Sequence, residues 1–600
     1  MKRIFLIIIW IVSVINLNGQ TEKEITILHT NDLHSRLMGY APESEYSPLT
    51  IKDDKTVGGF ARIAAIIKTE KENSKGVTLV LDAGDFMMGT LFPSIEKKSG
   101  FQLRLMKSMG YDVTCFGNHE FDFGPEWLAT VISTSAGNGM IPSLLIGNAT
   151  FDRKDVRDDG LEKLLSDSII SRKLILIKDG IKFGFFSIIG KDAVKDAPRA
   201  VPVTFEKQFS FARKMVKELK SEKCDIIICI SHSGVTKEKN GEWGGEDVEL
   251  AKAVKGIDLI IGGHTHTKLD HPVIVKGIPI VQAGEFGQFV GCLKLSYSPG
   301  KLKLTSYRLI PVDDNVLGDE HINSIIQEQK EKINQQILKP LGMDYNKPVV
   351  ESGFKIEGND VGDYVNSNIG PMIADAIQYY VNFHNRKGTD ISMVAAGMIF
   401  DKIVPGVQTA PDIFRVMPLG SGNDDVPGYA LSRLYVTGRE LKSILEILQV
   451  AAKSKPEDYC YYSGIRVDYD PEGGLFKKIK KIEIIRNDGT LINVDFSKKN
   501  KSLYSLTADS YMLDFIGIIK KMSFGLINVV PKDEAGNKIK DMKSAVIDIN
   551  ESLDGIQEGK EWLALIEYLG SMKDTNGNGI PDVDKKYAAP VKCFYSVKAK

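Results

Sequence analysis

The chain has 600 residues, with 77 basic against 78 acidic side chains and a formal net charge of −1. A balance so near zero gives no electrostatic basis for gripping a nucleic-acid polymer or an anionic membrane, though a locally basic pocket stays open. The hydrophobic fraction of 43% and the charged fraction of 26% are those of ordinary globular protein, and the length exceeds what one hydrophobic core organises, so two large domains are expected.

The N-terminus carries an address. Lys2 and Arg3 precede an apolar run from Ile4 to Leu17, which is too short to span a bilayer and has the form of a secretory signal. Residues 1–20 are therefore expected to be removed, leaving an exported chain, periplasmic, cell-surface or secreted, with no transmembrane span. The sequence N-L-N-G-Q that ends this run lacks an A-x-A cleavage site, so an uncleaved anchor is the alternative. Cys115, Cys224, Cys229, Cys292, Cys460 and Cys593 fall mainly in apolar, strand-like runs without metal-ligand spacing, which reads as buried free thiols.

Five short segments follow in which an apolar run stops at a polar cluster. They are I-T-I-L-H-T-N-D-L-H (Ile25 to His34), V-L-D-A-G-D (Val80 to Asp85), F-G-N-H-E-F-D (Phe116 to Asp122), I-S-H-S-G (Ile230 to Gly234) and I-G-G-H-T-H (Ile261 to His266). The preceding runs, Ile25–Leu28, Val77–Leu81, Ile226–Ile230 and Leu259–Ile261, are short, β-branched and bounded by Gly or polar residues, as buried strands are. The polar clusters then sit on loops just past strand ends. Asp32 and His34 are one residue apart, so an extended segment projects both to one side, and His264 and His266 repeat the spacing. Each segment alone reads more readily as a strand-end turn with a structural histidine than as a ligand site. The ordered set of D-x-H, G-D, G-N-H, H and G-H-x-H does not, because it assembles the N and O ligands that a pair of divalent cations requires.

That order resembles the calcineurin-like metallophosphoesterases, and N-H-E-F-D resembles their 5′-nucleotidase and UDP-sugar hydrolase branch; G-G-F-A-R-I at Gly58 to Ile63 fits it too. The resemblance implies an α/β fold: an N-terminal αββα metallophosphoesterase sandwich (24–315), a linker helix (319–340) and a second mixed α/β, substrate-binding domain (346–595). It further implies that Asp32, His34, Asp85 and His266 hold one metal, that Asp85, Asn118, His232 and His264 hold the other, and that Asp85 bridges. His119 and Asp122 correspond to the family's catalytic dyad. An imidazolium at His119, oriented by Asp122, is chemically suited to stabilise charge on a phosphoryl group attacked in line by a metal-activated hydroxide. The mixed His, Asp and Asn ligand set suits Zn²⁺ or Mn²⁺.

Past Asp314 the texture changes. Ile322, Ile325, Ile326, Ile333 and Ile337 recur at helical spacing within His321 to Leu338, and Pro340 ends the pattern. Helical runs at Ile369–Val381 and Gly438–Val450 then mix with strands at Ser392–Ala395 and Lys480–Ile485. N-S-N-I-G-P-M-I-A-D-A (Asn366 to Ala376) resembles the family's opening of this domain, but the N-G-G-G-I-R stretch whose Arg clamps the phosphate is replaced by Ala395, Ala396, Gly397, Met398, Ile399 and Phe400. Tyr459 stands where the family has a base-stacking aromatic, and Tyr511 is the substitute for a second one whose G-G-D-G turn is absent. Near the end, Asp574, Asn576, Asn578 and Asp582 alternate oxygen side chains as a Ca²⁺ loop does, but Lys585 stands where an EF-hand has its bidentate Glu, so a polar turn is the readier reading.

These readings make the chain an exported dinuclear phosphohydrolase acting on a small phosphoester, a nucleotide first of all. The alternatives are a phosphodiesterase or phosphomonoesterase for a non-nucleotide substrate, favoured by the missing Arg, and an idle binding protein, disfavoured by the complete metal set and dyad.

Overall fold

The computed structural model describes residues 22–238, 240–357, 364–424, 426–474, 476–513 and 529–597. The expected signal at 1–20 lies outside them. The first half is built on two facing sheets. One has seven strands in the order Lys301–Pro311, Phe289–Ser298, Lys23–Thr30, Val77–Asp82, Val113–Cys115, Ser143–Leu145, Ile170–Ser171; the other has six, in the order Val273–Val275, Ile278–Val281, Leu259–Gly262, Ile226–His232, Ile181–Ile189, Lys173–Lys178. Alternation along Ile226–His232 shows why the run is apolar throughout. Ile226, Ile228 and Ile230 face the core between the sheets, where they meet Ile27, Leu79 and Leu81, while Ile227 and Cys229 face the outer helices carrying Phe211, Met215 and Leu250. Phe60–Asn73, Phe101–Met109 and Pro125–Asn138 supply helices to the opposite outer layer, completing an αββα sandwich.

Parallel register brings the carboxyl ends of the central strands to one rim: Thr30 lies opposite Asp82, and Ser231 opposite Gly262. In open α/β sheets ligands collect at such ends. The helix Glu320–Ile333 is capped by the Asp319 carboxylate, which accepts from the Ile322 backbone N–H at 3.0 Å, and buries Ile322, Ile326 and Ile333. It then widens into a π turn, Asn334–Leu338, just before Pro340, whose ring nitrogen has no proton to continue the ladder. In the second half the strands Leu431–Thr437, Leu503–Asp509, Ile391–Ala395 and Cys460–Ser463 form one sheet, against which helices Ile369–His384 and Gly438–Ser454 pack, with Glu561–Gly570 laid on the first of them. All six cysteines are free, and Cys115, Cys229, Cys292 and Cys460 are buried.

A buried charge cluster joins the halves. Arg36 donates to the Asp401 carboxylate at 2.6 Å and Tyr40 to the same group at 3.2 Å; Arg415 reaches Asp412 at 2.8 Å, Glu43 at 3.4 Å and Asp401 at 3.5 Å. Tyr345 donates its hydroxyl to Glu43. Asp401 is held below the usual carboxylate range because the two guanidinium groups overcome its burial.

His29 is a buried base without a compensating partner among the described residues. It is stacked on Tyr307 with centroids 5.9 Å apart, and neither ring nitrogen has a hydrogen-bond partner among the described residues. Burial pulls it from 6.5 down to about 3, so the folded chain keeps it neutral while the unfolded chain takes up a proton below about 6.5. Stability is thus lost as pH falls from that point toward 3. In denaturant titrations, His29→Leu is expected to lose less stability than wild type between pH 7.5 and 5. Equal losses in the two proteins would contradict this.

Candidate active site

The metal-ligand candidates are aimed by backbone geometry of an unusual kind. Beyond Thr30 and Asp82 the two central strands stop pairing regularly, yet their loops stay hydrogen-bonded side by side: Asp32 N donates to Gly84 O, His34 N to Asp85 O and Ser35 N to Phe86 O, each at 2.9 Å. The extended segment expected for the two D-x-H and H-x-H pairs is not what places them. Asp32 (φ 51°), His34 (49°), Asp85 (53°), His264 (74°) and His266 (53°) all lie in the left-handed region, which costs a non-glycine residue roughly 1–3 kcal/mol. Alternate left-handed residues turn the chain so sharply that both side chains of each pair enter the same space.

Two groups of ligand atoms result. Asp32, His34 and His266 bring one atom each within 4.8 Å of one another, as do Asp85, His232 and His264, and Asp85 also lies within that reach of His34 and His119. Asn118 Oδ1 is 3.1 Å from His232 Nε2. His232 Nδ1 donates to the Ala83 carbonyl at 2.8 Å, which turns Nε2 toward Asn118 Oδ1 and Asp85 Oδ2, the latter at 2.9 Å. Three potential ligand atoms converge there, and His34 Nε2 and His266 Nε2 approach one another at 3.2 Å. Such arrangements fit divalent cations. Asp32 is fixed by the Asn31 amide at 2.6 Å and by the His264 backbone N–H at 3.0 Å.

His119 and Asp122 sit beside these groups on one short turn, with Nδ1 2.7 Å from Oδ2. Burial acts to lower the imidazole's pKa, but Asp122 and Asp85 outweigh it and lift His119 to about 9. The His119 backbone N–H donates to Asp85 Oδ1 at 2.9 Å, tying the dyad to the proposed bridge. Both line a cavity of about 850 Å³ between the halves, with Asp85, Asn118, His264 and His266 also in its wall.

The second half closes that cavity with an aromatic ring. Phe400 stands 5.0 Å from His34 and 5.7 Å from His119 between ring centroids, in the stretch that the sequence shows to lack the family's Arg. Tyr511 lines the cavity and stacks on Tyr429 at 5.5 Å, whereas Tyr459 packs edge-on against Tyr461 at 5.2 Å and is not among the lining residues. The loop of Asp574, Asn576, Asn578 and Asp582 is elsewhere. Asp574 accepts from Gly577 and Gly579 N–H groups, Asp582 from Thr575, and the amides of Asn576 and Asn578 donate to Glu351 at 3.2 and 2.7 Å.

Three supporting residues had no role in the sequence reading. Glu285 meets His266 Nδ1 and so fixes which nitrogen faces the ligand group. Asn31 bridges Asp32 to the Ala283 and Gly284 backbone. Glu120, inside N-H-E-F-D, accepts from the N–H groups of Asp85, Gly117 and Met87 at 3.0, 2.6 and 2.9 Å, so the third segment holds the second in place. The motif displayed Glu120, but not that its acceptors would be spent on backbone.

A family model described as calcineurin-like phosphoesterase matches residues 25–268, and one described as the 5′-nucleotidase C-terminal domain matches residues 353–514. The chain belongs to the 5′-nucleotidase family of calcineurin-like phosphoesterases. It is 26% identical to a 5′-nucleotidase of Bos taurus over 77% of this chain and 78% of that one, and 26% identical to protein UshA of Escherichia coli over 76% and 81%. Its fold matches the crystal structure of a 5′-nucleotidase precursor from Thermus thermophilus with a TM-score of 0.67 at 19% identity, covering 96% of this chain and all of that one. It is a metal-dependent phosphoric ester hydrolase. No described helix is long and apolar enough to cross a membrane.

Gly117 shows how tight the centre is. A Cβ there would collide with Asp85 Oδ1 and lie 2.6 Å from His232 Nε2. Gly117→Ala is therefore expected to lose bound metal while keeping its far-ultraviolet circular dichroism. Two equivalents of metal by elemental analysis in that variant would contradict the geometry.

Proposed function

We propose that this chain is an exported, dinuclear phosphohydrolase that removes phosphate from nucleoside monophosphates. The observation that carries the proposal is the meeting of two ligand groups at Asp85, next to the His119–Asp122 dyad, on the wall of a cavity large enough for a nucleotide. Asp32, His34 and His266 with Asp85 would hold one cation, and Asn118, His232 and His264 with Asp85 the other; the N and O donors suit Zn²⁺ or Mn²⁺. When bound, such ions lower the pKa of an attacking water and neutralise phosphoryl charge.

The chain's own residues do the remainder. Asp122 orients the His119 ring through Nδ1, so Nε2 is the edge left for a phosphoryl or leaving oxygen. The His119 imidazole stabilises charge that grows in the transition state, and the Phe400 ring stands in a T-shaped contact with it, 5.7 Å away between centroids. Tyr511 offers a flat face in the cavity wall for the base. Export rests on the charged and apolar pattern of residues 1–20. The second reading, a non-nucleotide phosphomonoester, is favoured by Phe400, since an apolar ring at that position also suits a hydrophobic leaving group.

Chelation is expected to abolish phosphatase activity, and Zn²⁺ or Mn²⁺ to restore it; full turnover in demonstrably metal-free protein would end the proposal. His119→Asn should reduce kcat by roughly a hundredfold or more with both metals retained. Loss of metal in that variant would instead make His119 a ligand. For AMP against an aryl phosphate, Tyr511→Ala should raise KM for AMP alone by about tenfold, the scale of one lost stacking contact, and Tyr459→Ala should do less. Equal effects on both substrates would favour the non-nucleotide reading.

A further inference from the structure

The phosphohydrolase reading leaves one chemical requirement open. A phosphate monoester is a dianion, and two metals with one imidazole do not by themselves fix its orientation; a guanidinium, with its fork of donors, does so well. The second half offers none at the expected place, since Phe400 occupies it. The two arginines nearest that stretch are committed: Arg36 is ion-paired with Asp401, and Arg415 with Asp412, Glu43 and Asp401, each with only 2% of its side chain exposed.

Arg199 is placed differently. It lies in the first half, on the turn Pro198–Ala200, and lines the cavity together with Asn118, His119 and Asp122. Its guanidinium sits 4.6 Å from the centroid of Tyr429, which in turn stacks on Tyr511, and Nη1 is 3.5 Å from the Asp122 carbonyl oxygen. Among the described residues no carboxylate stands within ion-pair distance of it. The other cations of the wall are less suited: Lys195 is paired with Asp192 at 2.6 Å, and Lys455 is exposed on the opposite half.

We propose that Arg199 is the anion-binding residue of this site, taking over from the N-terminal half the phosphoryl contact that the C-terminal half has given up. An aromatic ring on one face and a backbone carbonyl at one edge preorganise the guanidinium beside the dyad without neutralising it. The contact is made by the half that carries the metal-ligand candidates, while the Tyr429 ring that steadies the guanidinium comes from the second half.

The proposal rests on the phosphohydrolase reading, and its test avoids nucleosides so that the two can fail separately. With the metal-loaded full chain and p-nitrophenyl phosphate as substrate, inorganic phosphate is titrated as a product inhibitor. Arg199→Gln should raise the Ki of inorganic phosphate and the KM of the aryl phosphate together by about tenfold or more, as expected for a lost charged hydrogen bond, with metal content unchanged. Arg199→Lys should recover part of the loss, and it keeps the test open if the Gln variant folds poorly. Lys455→Gln should leave the Ki within about twofold, since an exposed single charge contributes little. An unchanged Ki in Arg199→Gln, a raised KM without a raised Ki, or an equal shift from Lys455→Gln would each overturn the proposal. Whether AMP is turned over is a separate measurement and does not bear on these outcomes.

Discussion

The site depends on holding five non-glycine residues in the left-handed backbone region at the ends of parallel strands. Asp32, His34, Asp85, His264 and His266 each give up on the order of 1–3 kcal/mol in backbone conformation, a sum comparable with the net stability of a typical domain. What offsets it is continuity with the sheet. The hydrogen bonds from Asp32, His34 and Ser35 to the Gly84–Phe86 segment extend the pairing of Lys23–Thr30 with Val77–Asp82 past the point where regular strand geometry ends. The buried inter-sheet core fixes the strands, the strands fix the loops, and the loops have no other way to satisfy their backbone groups. Strain is therefore stored where the ligand candidates are and balanced by residues of the inter-sheet core such as Ile27, Leu79 and Ile228.

Glu120 extends the same logic sideways. Its buried carboxylate is pushed up to about 8, by burial first and by Asp85 next, although it accepts backbone N–H groups from two loops. Those bonds are made to the very turn that carries Asp85, so its position is set by the segment that also carries Asn118 and His119. The candidate ligands and the dyad are thus held by one hydrogen-bonded set of loops.

Much of this was legible in the sequence, for identifiable reasons. Ile226–Ile230 and Leu259–Ile261 read as buried strands because both faces are covered, and the structure extends them by only a residue or two, to His232 and to Gly262 at either end of the same rim. The ligand candidates were legible because metal chemistry permits few residue types and the strand ends supply them in order. Their backbone was not: nothing in D-x-H distinguishes an extended pair from two left-handed residues, since Asp tolerates both and His yields to its surroundings. Nor could spacing reveal Glu285 or Arg199, which reach the site from loops far away in the chain. Tyr459 illustrates the reverse case. A motif likeness pointed to it, yet the strand Cys460–Ser463 directs that neighbourhood toward Tyr461 and the core, leaving Tyr511 on the cavity wall.

The replacement of a clamp arginine by Phe400 has an electrostatic consequence beyond the loss of one cation. Coulombic interactions grow as the local dielectric falls, and a phenyl ring within 6 Å of His34, His119 and Phe286 displaces the water that would otherwise screen the centre. The charge that His119 keeps then acts on a bound anion more strongly than in an open cleft. The neighbouring Asp401 completes the exchange: it is locked by Arg36 and Arg415, so the segment that elsewhere would present a guanidinium to substrate here presents an apolar ring and anchors itself by a buried ion cluster. Removing one partner of such a cluster leaves an uncompensated charge, at a cost of about 3–5 kcal/mol. Catalytic environment and domain contact are thereby coupled through adjacent residues, Phe400 and Asp401, and the first cannot be altered by evolution or by mutation without a load on the second.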